Sequence, residues 1–201
     1  MRFKALRLVL AVVLNVVLPA TLAWTCVWIA SSHKVDGRPH SLVEEPDKYG
    51  PVTLRLKLPG TAGEIPEPLL VIGRPGRAAL VYIRLLKQAR AKVGVEFWGQ
   101  AAFESSDFGL PAADAVIEVT CWLPGFFPRE GDLYWGQLSP RIQAIRRSGY
   151  QIAVNGVVRL SGPVSYEQPK HEPFYFGKNP LGGSLVSDRF TGTMISMRQP
   201  D

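Results

Sequence analysis

No charged residue occurs between Leu8 and Ala30, a run of 23 positions. A bilayer core about 30 Å thick takes roughly 20 apolar residues in a helix rising about 1.5 Å each. The run therefore predicts a membrane-spanning helix. Asn15 and Pro19 interrupt its apolar character, and a lone proline kinks a span without ending it. Arg2, Lys4 and Arg7 precede the run, and Trp24 and Trp28 fall near its end, where amphipathic rings favour the membrane interface. Cations stay cytoplasmic, so the expected topology is N-in, C-out, although Lys34 and Arg38 on the far side oppose it. The competing reading is a cleaved secretory signal, with Ala30-Ser31-Ser32 as its small-residue site. Signal cores are about 7–15 residues long, shorter than this run. Either way, residues 31–201 are expected on the periplasmic or extracellular side. Ala23-Trp24-Thr25 before Cys26 is a poor lipoprotein site, because Trp24 is bulky where a small residue belongs.

The formal charge of +6 invites nucleic acid, but three of the cations flank the span. Setting Arg2, Lys4 and Arg7 aside leaves 20 cations against 17 anions, and no nucleic-acid partner is expected. Cys26 and Cys121 are the two cysteines. One lies in the span and the other in the exported part, too far apart for a bridge. The exported domain must therefore be held by its core. His33, His40 and His171 are scattered, and no paired Cys/His zinc pattern occurs.

Residues 1–7 read as a cytoplasmic N-terminus, 8–30 as the span, 31–50 as a turn-rich linker and 51–201 as one folded domain. The hydrophobic period becomes two at Val52-Thr-Leu-Arg-Leu-Lys-Leu58, the pattern of a half-buried strand. Further strands are expected at Leu69–Ile72, ended by Gly73, and at Leu80–Leu86, Lys92–Trp98, Ala115–Trp122, Tyr150–Val154, Val157–Leu160, Phe174–Phe176 and Arg189–Met197. Asn155-Gly156 between two of them is a strong hairpin signal, because a type I′ turn needs positive φ at both central residues. The one helix candidate is Ser139–Arg147, with Ser139 as cap and Pro140 in the first position. Many short strands without crossover helices predict an all-β fold, an antiparallel β-sandwich or jelly roll.

Three stretches together resemble a known family. They are Leu69–Gly76 with Leu80–Arg84, then Gly94-Val-Glu-Phe-Trp-Gly99, then Phe176-Gly-Lys-Asn-Pro-Leu-Gly-Gly-Ser184 with Phe190-Thr-Gly192. The last set is similar to the closing strands of concanavalin A-like lectin/glucanase domains, the jelly roll shared with laminin G-like modules. The resemblance covers about residues 51–198. It implies a final strand that returns to a sheet edge, and a sugar- or metal-binding end near Asn179. Calcium enters through this resemblance alone, since no Asp-rich loop accompanies it; no other cofactor is expected. Independently of any ligand, Gly177, Gly182 and Gly183 suit tight turns with positive φ, Asn179 suits an Asx turn, and Phe190 suits the core.

Glycosidases of this fold carry paired carboxylates on one strand face, and retaining hydrolysis places them about 5–5.5 Å apart. The corresponding Glu-x-Asp-x-x-Glu pattern is absent. Glu96 and Glu118 are each the sole acid of a strand and would have to meet across strands. Glu44-Glu45, Glu130 and Asp132 lie in turn-rich segments. No catalytic residue is assigned. A glycan site needs aromatic platforms and a few placed polar groups. The candidates are Glu96 with Trp98, the insert Leu123–Gly149 with Phe126, Phe127, Tyr134 and Trp135, and Asn179. The same four rings could instead form a lid over the core, or, with Arg141, Arg146 and Arg147, a protein-docking surface. The expected function is a membrane-anchored, non-catalytic recognition module that binds glycan. The alternatives are an accessory subunit docked to partner membrane subunits and, third, a glycoside hydrolase of the same fold.

Overall fold

The computed structural model describes residues 50–63, 65–98, 101–165 and 172–199. The expected span with Arg2, Lys4, Arg7, Trp24 and Trp28, and the linker up to Tyr49, lie outside the described residues. Among those described, no helix is long and apolar enough to cross a membrane.

The described residues form eleven strands: β1 (Val52–Lys57), β2 (Glu67–Arg74), β3 (Arg77–Leu86), β4 (Arg90–Phe97), β5 (Ala101–Glu104), β6 (Phe108–Gly109), β7 (Val116–Trp122), β8 (Gly149–Val154), β9 (Val157–Pro163), β10 (Phe174–Phe176) and β11 (Thr193–Arg198). Helices α1 (Leu133–Gly136) and α2 (Pro140–Arg147) separate β7 from β8. One sheet runs β11-β1-β7-β8-β9; the other runs β10-β2-β3-β4-β5, with β6 also pairing β4. Every pairing is antiparallel.

Alternation decides which faces meet. Val52, Leu54 and Leu56 of β1 and Ile117, Val119 and Cys121 of β7 join Leu70, Ile72, Val81, Ile83, Val93 and Val95 of the other sheet in one buried cluster. The two sheets thus share a core, which makes the domain an antiparallel β-sandwich, as the period of two predicts. β11 takes the edge beside β1, as the family resemblance implies. Phe190 is in the core, but it lies just before the bend that leads into β11 and not on a strand.

The Asn155-Gly156 hairpin is formed as expected. Val154 pairs Val157, and both turn residues have positive φ, 49° and 76°. Asn155 also reaches sideways. Its Oδ1 accepts from the Glu118 backbone N–H at 2.9 Å, and its own N–H donates to the Glu118 carbonyl at 2.8 Å. Ser139 caps α2 with Pro140 in its first turn, also as expected. Several boundaries differ: β3 begins at Arg77, β9 runs on to Pro163 and β11 begins at Thr193. β2 continues through Gly73, and the turn is Pro75-Gly76. Strands β5 and β6 have no sequence signature, because four and two residues are too few to display a period.

Candidate functional site

The outer faces of the two sheets differ in what covers them. On the β7 side, Trp122 points away from the core, and the insert after β7 folds over it. Trp122, Phe127 and Trp135 form their own buried cluster, joined by half-buried Tyr134, Leu138 and Val164. Tyr134 stacks on Trp122 with ring centroids 5.7 Å apart. The polar edges are satisfied: Trp122 Nε1 donates to the Arg146 carbonyl at 2.8 Å and Trp135 Nε1 to that of Arg129 at 3.0 Å. Phe126 turns inward and meets Phe174 edge-on at 5.9 Å. Phe126, Phe127 and Trp135 are therefore core and lid, with no ring face open to stack on a sugar. The physical reason is Trp122, an outward ring whose apolar area needs a cover. Burial raises the Tyr134 hydroxyl pKa, against an opposing pull from Arg146.

The other sheet's outer face is apolar at Val71, Leu80 and Tyr82 and polar along β4. Val93 and Val95 of β4 point to the core, so Lys92, Gly94 and Glu96 point out. Leu80 pairs Glu96, Tyr82 pairs Gly94, and Gly94 in turn pairs Glu104. The Tyr82 ring covers Gly94, where an added Cβ would collide with it. Burial first, then the negative charges of Glu104 and Glu96, raise the Tyr82 hydroxyl pKa, while Arg84 opposes them. Glu104 accepts from Arg84 Nε at 2.9 Å and from Lys92 Nζ at 3.2 Å.

A loop from Gly177 to Phe190 crosses this face. Its ends are tied together: Lys178 bridges Arg189, Asn179 N–H donates to the Asp188 carbonyl at 2.8 Å, and Phe190 N–H to that of Gly177 at 2.9 Å. Gly177, Gly182 and Gly183 all have positive φ, as expected of tight turns. Val186 and Leu181 of the loop pack on Val71, Leu80 and Tyr82. That cover explains why β2 reads as a continuous apolar run: it is buried on both faces. Just beyond the loop, Thr191 is clamped by the buried Glu67, whose carboxylate accepts from Thr191 N–H at 2.8 Å and from its hydroxyl at 2.8 Å.

Two adjacent loop residues define the site. Ser184 Oγ donates to Glu96 Oε2 at 2.6 Å. At Gly183 an added Cβ would lie 3.0 Å from Cζ2 of the Trp98 ring. Glu96 and Trp98, both expected as site residues, are thus drawn to one place. Sequence reasoning missed Ser184, Tyr82, Arg84, Lys92 and Glu104. Gly94 between two valines was the available signal that a ring lies over β4, since a strand glycine marks close approach.

Asn179 is buried and forms no Asx turn, for its Oδ1 accepts no hydrogen bond from the described residues. Glu118 faces out from the opposite sheet, paired with Arg198 at 2.9 Å. Glu96 and Glu118 therefore stand on opposite outer faces of the sandwich and do not approach, because strand pairing put their strands in different sheets. Among the described residues, no three of His, Cys, Asp or Glu gather to hold a metal.

No family model matches the chain, and no curated protein matches it. Among solved structures it is similar to the CBM40 domain of Ruminococcus gnavus IT-sialidase, at 13% identity and a TM-score of 0.45 over 75% of this chain and 74% of that one. The same domain bound to α2,3 sialyllactose gives the same values. Mouse laminin α1 chain domains LG4-5 are similar at 12% identity and a TM-score of 0.38, over 75% of this chain and 36% of that one. Strand pairing and the shared core define the sandwich independently of these likenesses.

Proposed function

We propose that the chain is a membrane-anchored, non-catalytic recognition module. Residues 8–30 cross the bilayer with the N-terminus inside, and the concanavalin A-like sandwich binds glycan on the outside. The binding face is the outer side of the β10-β2-β3-β4-β5 sheet beside the loop Gly177–Phe190. One observation carries this reading: Ser184 fixes the half-buried Glu96 carboxylate next to the Trp98 ring. An oriented carboxylate accepts from sugar hydroxyls, and a neighbouring aromatic ring receives the apolar C–H face. Tyr82 floors the site, and the Arg84–Glu104–Lys92 group borders it.

The test is a glycan array probed with the full chain in detergent. Retention of a defined sugar class, weakened by Glu96→Gln and by Trp98→Ala, supports the reading. A silent array overturns it. Resistance to alkaline carbonate extraction tests the anchor separately, and the mass of the mature protein decides between span and cleaved signal.

A further inference from the structure

Helix α2 is packed the wrong way round for a surface helix. Such helices turn apolar residues inward and charges outward. Here no residue of α2 is buried, and Ile142 and Ile145 are 41% and 56% exposed. Polar side chains contact the domain. Gln143 Nε2 donates to the carbonyls of Trp135 at 2.7 Å and Leu138 at 3.0 Å. The guanidinium of Arg146 lies 4.9 Å from the Trp122 ring centroid, and that of Arg147 lies 4.5 Å from Trp135. Residues three apart share a helix face, so Ile142 and Ile145 form one outward stripe beside Arg141. Leu133 of α1, in the same insert, is 84% exposed.

The charge on this surface has one dominant sign. α2 holds Arg141, Arg146 and Arg147 and no acid. Glu130 meets Arg147 at 3.5 Å, and Asp132 is occupied in capping α1, accepting from Tyr134 N–H at 2.8 Å. An occupant must therefore be apolar where the isoleucines enter and anionic around them. The exposed apolar side chains here are few, while a stable protein interface takes about 20–30 residues a side. A shallow apolar stripe bordered by the exposed Arg141, with half-buried Arg146 and Arg147 behind it, is instead the pattern of an interfacial helix.

We infer that α2 docks on an anionic lipid surface, with Ile142 and Ile145 entering the headgroup boundary and Arg141 contacting lipid phosphate. This inference rests on the proposed anchor, because a tethered domain needs only a weak contact to stay docked.

The experiment compares amide hydrogen exchange across α2 in the full chain, in nanodiscs containing phosphatidylglycerol and in nanodiscs of phosphatidylcholine alone. Exchange should slow by about fivefold or more in the anionic discs, relax toward the zwitterionic rate in high salt, and weaken in Arg141→Gln. The Ile142→Ser, Ile145→Ser double variant, altered only at exposed positions, should abolish the slowing. Equal rates in both discs, or slowing retained by the double variant, overturns the inference. Slowing in both discs that grows with protein concentration assigns the face to a second copy and overturns it too. Extraction by carbonate removes the anchor and this inference with it. A carbonate-resistant chain with equal α2 exchange overturns this inference alone.

Discussion

Ser184 and Glu96, 88 positions apart, are joined by a hydrogen bond of 2.6 Å from the serine hydroxyl to the carboxylate. This bond fastens the Gly177–Phe190 loop to the middle of the outer sheet face and holds Glu96 in one orientation beside Trp98. A hydrogen bond to a charged group is worth about 1.5–3 kcal/mol net. Ser184→Ala should therefore weaken the proposed glycan binding about tenfold by releasing the carboxylate. Glu96→Gln should lose at least as much, because the charge goes while the shape remains. Titration calorimetry with the sugar identified on the array checks both; unchanged affinity in the two variants would remove Glu96 from the site.

Gly183 and Gly76 separate backbone strain from crowding. Their φ values are +67° and +82°, so alanine costs each about 1 kcal/mol for the left-handed conformation. Gly76 has open space around it, whereas a Cβ at Gly183 meets the Trp98 ring at 3.0 Å. Gly183→Ala should also shift Trp98 and impair binding, while Gly76→Ala should lower stability alone. Urea unfolding and the binding assay, run on both variants, distinguish the two effects.

Asn155 does two jobs at once: it adopts positive φ and accepts from Glu118 N–H. Asn155→Gly keeps the conformation and loses the bond. Asn155→Ala loses the bond and adds strain. The expected order of stability is Asn, then Gly, then Ala, with the alanine variant about 1–2 kcal/mol below the native chain in urea titrations. Equal stability of the two variants would contradict the turn assignment.

Complete burial pushes the Cys121 thiol from 9.0 up to about 12. A pKa raised in the folded state means the folded chain holds this proton after the unfolded chain has released it. Stability is then full below about pH 9 and falls as pH rises toward 12. Peptide mapping at pH 8 should find Cys121 unlabelled by thiol reagents until the chain is unfolded. Between pH 9 and 10 the decline in stability should be smaller in Cys121→Ala. Above pH 10, Tyr82, Tyr134 and Tyr150, all raised chiefly by burial, should steepen it in both chains.

The outline of the fold was legible in local signals. Alternation at Val52–Leu58 fixed which side of β1 is buried, because each strand side chain points opposite to the next. Asn155-Gly156 specified its hairpin because few residues tolerate two consecutive positive φ angles. Ser139-Pro140 specified the start of α2 because cap and first-turn chemistry are local. Glu96 and Trp98 stood out as an acid and a ring on one strand side.

Tertiary structure decided what these residues became, because burial and cross-strand contact depend on which strands pair. Phe126, Phe127 and Trp135 stayed open between platform, lid and docking surface until the outward Trp122 required a cover. Glu96 and Glu118 looked alike until pairing sent β4 and β7 to different sheets. Ser184, in a glycine-rich turn, carried no sign of the carboxylate it would meet 88 positions away. The isoleucines of α2 repeat at helical spacing, which in the sequence points inward; only packing turned them out. Period, turn and cap chemistry act over a few bonds and survive in the sequence, whereas long-range pairing exists only after the sheets have closed on their core.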